Sequence, residues 1–359
     1  MTENANWGVR VLLAEDSPTV RYYLTNLINE TPGFHVVGAA RDGEEALALT
    51  LKLKPDVVSM DIRMPRMDGL EATRRIMTQC PTPVVVVSGL VESEVDLSFQ
   101  ALQAGALAVV EKPPDKRDPT FPDKQRHMIK TLLAMSRVKV IQRRELLVER
   151  RGGMLPSTDT LKIPPVEHVR VAPELIAIGA SAGGPSALIS LLNGLPTDFS
   201  LPIAVVQHIP SEFTNGLARW LRKSTPLNIE VASDGLKLQP SHVIISPGWA
   251  HLTIVRQRQG LTARLIKEQG TSRYQPSVDV LFSSVAVISG AASIGIILTG
   301  MGDDGAEGLL AMRRAGARTY AQDEASSTVF GMPGAAIERG GVEQVLPLTK
   351  LATVIRNLM

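Results

Sequence analysis

The chain has one cysteine in 359 residues, Cys80. That excludes an internal disulfide and a cysteine-based zinc site, and Cys80 reads as a small apolar filler. Long apolar runs are missing as well. The longest, residues 285–298, is interrupted by serine and glycine and falls short of the roughly 20 residues a bilayer span needs. Residues 1–7 lack the basic-then-apolar order of a signal peptide. The expectation is a cytoplasmic protein that is not inserted in a membrane. There is no excess of one charge: 38 Lys and Arg face 36 Asp and Glu. The balance is uneven along the chain, with a net of −5 over residues 1–125, +6 over 126–172 and +1 over 173–359. The mild basicity therefore sits in a middle segment and not in a basic fold, which argues against nucleic acid as the main partner.

What is present is two runs of alternating strand and helix patterns, enough chain for two full cores. In the N-terminal third, β-like runs at residues 9–14, 34–40, 56–60, 84–87 and 106–110 alternate with helical patterns near 19–29, 44–51, 69–77 and 94–103. This predicts a doubly wound parallel sheet. Such sheets bind ligands at the carboxyl ends of their strands. There stand Glu15 and Asp16, then Asp61, Ser88, and Lys112 before Pro113. Three carboxylates on one edge repel one another without a cation, and oxygen ligands of this kind suit Mg²⁺. A hydroxyl and a lysine on neighbouring strands could hold phosphate oxygens. The plainer alternative is that these acids are solvated or cap helices, as Asp16 before Ser17-Pro18 could do alone.

Residues 114–125 are rich in Pro, Asp and Lys and mark an exit from that fold. Residues 126–151 read as one basic helix carrying Arg143-Arg144 and Arg150-Arg151, stopped by Gly152-Gly153. A solvated linker helix is the simpler reading; an anion-binding helix is the other. The expected layout is a first domain at 8–125, a linker at 126–172 and a second domain at 173–359.

The second domain opens on Ile176-Ala177-Ile178-Gly179-Ala180-Ser181-Ala182-Gly183-Gly184-Pro185. An apolar strand runs into a small-residue turn and a helix start. The turn fits the G-x-S-x-G pattern of a nucleophilic serine, and amides at the helix start could stabilise an oxyanion. A phosphate-binding glycine turn fits as well. A serine nucleophile needs a base and an orienting acid. His208 ends the strand at 203–207. A third strand, near 294–298, runs into Thr299-Gly300-Met301-Gly302-Asp303-Asp304-Gly305. Asp303 is the better helix cap by position, leaving Asp304 to turn inward. The order Ser, acid, His of α/β-hydrolases would need an earlier acid such as Asp234 with His251, and neither sits in a convincing turn.

Two resemblances bear on these residues. Glu15-Asp16, the run Met60-Asp61-Ile62-Arg63-Met64-Pro65-Arg66-Met67-Asp68-Gly69, Ser88-Gly89 and Lys112-Pro113 resemble a two-component receiver domain, over about residues 8–125. The resemblance implies a flavodoxin-like fold. It also implies Mg²⁺ held by Glu15, Asp16 and Asp61, phosphorylation of Asp61 by a sensor histidine kinase, and phosphoryl contacts from Ser88 and Lys112. The second domain is similar to the chemotaxis protein-glutamate methylesterase family. The match rests on Ser181 in its glycine turn, on Gln207-His208-Ile209-Pro210, on residues 298–305, on Ala321-Gln322-Asp323-Glu324-Ala325-Ser326-Ser327 and on Val329-Phe330-Gly331-Met332-Pro333. It implies a Rossmann-like α/β fold with a largely parallel sheet and a Ser181–His208–Asp304 triad with the Met301 amide as oxyanion donor. The implied reaction is cofactor-free hydrolysis of glutamate γ-methyl esters, and deamidation of glutamines, on methyl-accepting chemotaxis receptors, gated by the receiver. Ala182 stands where many relatives have threonine. Two other classes remain at this stage: a DNA-binding transcriptional regulator, and an adaptor that keeps the fold without turnover.

Overall fold

The computed structural model describes residues 8–89, 92–138, 140, 171–267 and 273–358. These form two compact units, one on either side of residue 160.

In the first unit, five strands alternate with five helices: β1 (Val9–Ala14), α1 (Pro18–Asn29), β2 (Phe34–Ala40), α2 (Gly43–Leu53), β3 (Val57–Met60), α3 (Gly69–Gln79), β4 (Val84–Ser88), α4 (Glu92–Ala104), β5 (Ala108–Glu111) and α5 (Phe121–Ser136). The sheet order is β2-β1-β3-β4-β5, with every pairing parallel. β3 and β4 are buried at every position, as a sheet covered on both faces requires. Short polar side chains start the helices. Ser17 caps α1 by accepting from the Val20 amide, with Pro18 in the first turn. Asp42 and Asp68 cap α2 and α3. The cap of α1 is thus Ser17, and Asp16 is not spent on that role.

One expectation is corrected here. Residues 126–136 do not form part of a linker. α5 begins at Phe121, buries Met128, Thr131, Leu132 and Met135 and packs on β3, β4 and β5. Those four residues recur at helical spacing and form one apolar stripe; the basic residues on the other face had suggested a solvated segment. The remainder of the expected basic helix, with its two arginine pairs, lies outside the described residues.

The second unit holds β6 (Leu175–Ala180), α6 (Gly184–Leu192), β7 (Ile203–Gln207), α7 (Ser211–Ser224), β8 (Asn228–Val231), β9 (His242–Ile245), β10 (His251–Gln257), β11 (Gly260–Ile266), α8 (Val278–Ile288), β12 (Ser293–Ile297), α9 (Ala306–Arg314), β13 (Arg318–Gln322), α10 (Gly331–Glu338), β14 (Gln344–Leu346) and α11 (Leu348–Arg356). Seven strands form a parallel sheet in the order β14-β13-β12-β6-β7-β9-β8. β10 and β11 form a separate antiparallel hairpin that packs on α8. The core runs through Leu175, Ala177, Val206, Ile244, Phe282 and Leu309.

β6 is the pivot of this sheet. The chain leaves it toward β7 on one side and later returns to β12 on the other. The crevice at the carboxyl ends of these three strands is therefore the topological switch point, where open α/β sheets bind ligands.

Candidate active site and phosphoacceptor site

Ser181, His208 and the loop holding Asp304 follow directly on β6, β7 and β12. The register pairs Ala180 with Gln207, and the His208 amide donates to the Ala180 carbonyl at 2.9 Å. Neighbouring strands lie about 4.8 Å apart, so the backbones of Ser181 and His208 are side by side. A buried side chain fixes them there. Gln207, 2% exposed, donates its Nε2 to the Ser181 carbonyl at 2.8 Å and to the His208 carbonyl at 3.0 Å.

On the other side of β6 the Ser181 amide donates to the Thr299 carbonyl at 3.0 Å. The Thr299 hydroxyl donates to the Ala182 carbonyl and accepts from the Val329 amide, both at 2.9 Å. Gly300 comes next. A Cβ built there would lie 2.8 Å from Ser181 Cβ and 2.2 Å from Met332 Sδ, so only glycine lets this loop approach the serine. Met301 follows. Among the described residues its amide has no acceptor. The turn itself depends on Gly183, whose φ of +76° lies in the left-handed region.

Asp304 is 2% exposed and accepts hydrogen bonds from four donors. Oδ2 meets His208 Nε2 and the Val278 amide, each at 2.7 Å. Oδ1 meets the Ser277 hydroxyl at 2.8 Å and the Asp279 amide at 3.1 Å. Val278 and Asp279 are the first residues of α8 and Ser277 is its cap, so the carboxylate sits on a helix N-terminus, where the macrodipole favours an anion. Burial by itself would raise its pKa. The hydrogen bond and charge of His208 and the two amides outweigh that and hold the carboxyl below its usual value. An ionised carboxylate can only accept, so His208 donates from Nε2, the tautomer whose neutral ring leaves Nδ1 as the acceptor.

Asp303, the better cap by position, caps nothing. The N-cap of α9 is Gly305, at φ +94°. The Asp303 carboxylate instead lies 3.4 Å from the Tyr274 hydroxyl and 3.4 Å from Arg339 Nη2. Asp234 and His251 are not paired. The Asp234 carboxylate accepts from the Leu265 amide, and buried His251 accepts the Ser277 amide on Nδ1 at 3.1 Å. Ser277, Tyr274, Gln207 and Thr299 were not singled out from the sequence as site residues. Gln207 beside His208 at a strand end was the one legible signal among them.

In the first unit, Glu15, Asp16 and Asp61 each bring a carboxylate oxygen to within 4.8 Å of the others. Lys112 Nζ lies 2.8 Å from Glu15 Oε2 and 2.9 Å from Asp61 Oδ2. Burial pushes both carboxyls up; Lys112 only partly offsets this. Burial pulls Lys112 down, but Asp61 and Glu15 outweigh it and keep its pKa above the ordinary value. Ser88 ends β4 fully buried, beside Glu111 in the register. Three crowded carboxylate donors, two of them buried with destabilised anionic forms, fit a hard divalent cation.

Comparison with known proteins covers both units. The CheB methylesterase family matches residues 176–355, and the response regulator receiver domain matches residues 11–119. A protein-glutamate methylesterase/protein-glutamine glutaminase of Myxococcus xanthus is 47% identical over 348 residues, covering 97% of this chain and 96% of its own. One from Syntrophus aciditrophicus is 40% identical over 352 residues, 98% of each. The solved catalytic domain of Thermotoga maritima CheB methylesterase superposes with a TM-score of 0.51 at 36% identity, over 53% of this chain and 100% of that one. A DNA-binding output finds no support, because the unit that would carry it is the seven-stranded sheet matched by the methylesterase family. The chain belongs to the CheB methylesterase family, in the form that joins a response regulator receiver domain to the methylesterase domain.

Proposed function

We propose that this protein removes γ-methyl esters from glutamates of methyl-accepting chemotaxis receptors, releasing methanol, with Ser181, His208 and Asp304 as the catalytic triad. One observation carries the assignment: His208 Nε2 rests on the buried Asp304 at 2.7 Å while its backbone is paired next to Ser181. Nδ1 of His208 takes the Ser181 proton as Oγ attacks the ester carbonyl. Asp304 holds the tautomer and stabilises the imidazolium. The Met301 amide, with amides at the start of α6, receives the oxyanion. The imidazolium then protonates the departing methoxide. Water, deprotonated by the same histidine, hydrolyses the acyl-enzyme to glutamate. A glutamine amide meets the same groups and loses ammonia in place of methanol. None of these steps requires a cofactor.

Asp61 is the proposed phosphoacceptor, with a sensor histidine kinase as donor. Glu15, Asp16 and Asp61 would hold Mg²⁺, which when bound neutralises charge on the transferred phosphoryl oxygens. Lys112 and Ser88 would contact the phosphoryl group. The modification adds about −1.5 to −2 charges and shifts the population toward an active state. No helix among the described residues is long and apolar enough to cross a membrane, and the proposed setting is the cytoplasm.

Methanol release from methylated receptor membranes, with and without Mg²⁺ and a small phosphodonor, tests the reading. Ser181→Ala should abolish release, with a loss on the order of 10⁴ to 10⁶ in kcat. Near wild-type release by that variant would reject the triad. Deleting residues 1–150 should raise basal release above that of the unphosphorylated full chain; an equal or lower rate would reject gating by the receiver.

A further inference from the structure

Tyr274 belongs to no strand end, yet it touches both halves of the proposed machinery. Its ring lies parallel to the His208 imidazole, with 5° between the planes and 5.2 Å between centroids. Its hydroxyl packs on the loop that carries Met301: a Cβ built on Gly302 would lie 2.5 Å from it. The same hydroxyl is 3.4 Å from Asp303 Oδ1. The segment around it is tied down. Gln275 Nε2 donates to the Trp249 carbonyl at 2.8 Å, and Ser277 is bonded to Asp304. The Arg273 guanidinium carbon lies 6.0 Å from the Tyr274 ring centroid.

We propose that Tyr274 is a positioning residue for the ester hydrolysis, holding His208 in the orientation from which Nδ1 reaches Ser181. This rests on the triad reading given above. Among the described residues the imidazole makes one hydrogen bond, from Nε2 to Asp304. A single bond leaves the ring free to pivot about the Nε2···Oδ2 line and swing Nδ1 away. A second ring stacked parallel on it resists that pivot, because tilting either plane gives up the offset stack. The stack also acts on charge. The imidazole becomes a cation as Ser181 attacks, and a cation on an aromatic face is stabilised more than the neutral ring. That interaction grows toward the transition state, so its loss is felt in kcat. The hydroxyl also touches the Met301 loop at Gly302, but the positioning comes from the stacked ring and not from that contact.

The test uses the full-length protein and methanol release from methylated receptor membranes, with Tyr274→Phe, Tyr274→Leu and Ser181→Ala measured side by side. Tyr274→Phe keeps the stack and should stay within about twofold of wild type in kcat. Tyr274→Leu should lose roughly three- to tenfold in kcat, the worth of one aromatic pair, with KM for the receptor changed less than about twofold. Tyr274→Phe and Ser181→Ala should unfold thermally like wild type, while Tyr274→Leu, which gives up the resting stack, should melt no more than a few degrees lower. The proposal is overturned by a wild-type kcat in Tyr274→Leu. It is equally overturned by a loss confined to KM, which would make Tyr274 a docking residue, or by a Tyr274→Phe loss as large as that of Tyr274→Leu. If Ser181→Ala abolishes release while Tyr274→Leu does not slow it, the triad stands and the role of Tyr274 falls. If Ser181→Ala retains turnover, the triad reading itself falls.

Discussion

Replacing Asp304 with asparagine separates the two jobs of that side chain. All four of its partners are donors: His208 Nε2, the Ser277 hydroxyl and the amides of Val278 and Asp279. They divide two to each oxygen. An asparagine must therefore turn its NH₂ toward at least one backbone amide, whichever way it faces. If the NH₂ takes the place of Oδ2, it confronts both the Val278 amide and His208 Nε2. The histidine then shifts its proton to Nδ1 and can no longer accept from Ser181. An exchange of this kind in a serine triad costs about 10⁴ in kcat, equivalent to about 5.5 kcal/mol in the barrier. The fold suffers separately. Losing charge-assisted hydrogen bonds and leaving a buried N–H unpaired should lower unfolding stability by about 2–4 kcal/mol. Methanol release at saturating receptor gives the first number and urea unfolding the second. Ser277→Ala is the control: it removes one donor to the carboxylate and the cap of α8 without changing the tautomer, so it should cost about 2–3 kcal/mol in stability and far less than Asp304→Asn in kcat. An Asp304→Asn enzyme within tenfold of wild type would refute the tautomer argument.

Three further outcomes are expected. Asp279 is pushed up to about 6 by burial and by the neighbouring Asp304 charge, against hydrogen bonds from the Gly308 and Gly305 amides. Between its ordinary value near 3.8 and about 6, the folded protein binds a proton that the unfolded chain has lost, so stability falls as pH rises through that window. Asp279→Asn should thus raise the melting temperature at pH 8 and leave it nearly unchanged near pH 4; an equal shift at both would dismiss the charge explanation. Asp304 works in the opposite sense, its depressed carboxyl adding stability that is present above about pH 4 and lost as pH falls through its folded value. In the receiver, Asp16→Asn should weaken Mg²⁺ binding at least tenfold by calorimetry. Binding by wild type should tighten as pH rises, because burial raises the pKa values of Glu15 and Asp61 and the cation must displace their protons. A metal affinity indifferent to both changes would remove this cluster as the site.

Much of the architecture could be read from the chain because parallel sheets buried on both faces leave continuous apolar runs, as at residues 84–87 and 175–180. Strand ends were legible for the same reason, and with them Glu15, Asp61, Ser181 and His208. The choice between Asp303 and Asp304 was not a local matter. It is decided by the N-terminus of α8, some 25 residues upstream, whose amides hold only the second aspartate. Tyr274 was illegible because nothing periodic marks it; the position follows from how residues 273–277 cross the crevice. α5 was misread because its start was placed at residue 126 and not at Phe121, which detached it from the first domain, and its basic outer face then suited a solvated linker. The β10–β11 hairpin lies outside the main sheet, so the strand–helix alternation that reveals the parallel sheet does not mark it.

The carboxylate bonded to His208 is also the anchor of a helix, and this gives the two ends of the proposed proton path unequal fates under drift. Ser181 is only partly buried and its side chain could be lost at little cost to the scaffold, whereas Asp304 underpins the join between α8 and the sheet. A descendant that kept this shape for scaffolding alone would shed the serine early and keep the aspartate late. Among proteins built on this plan, an intact aspartate therefore testifies to folding, and the serine is the mark by which turnover should be judged.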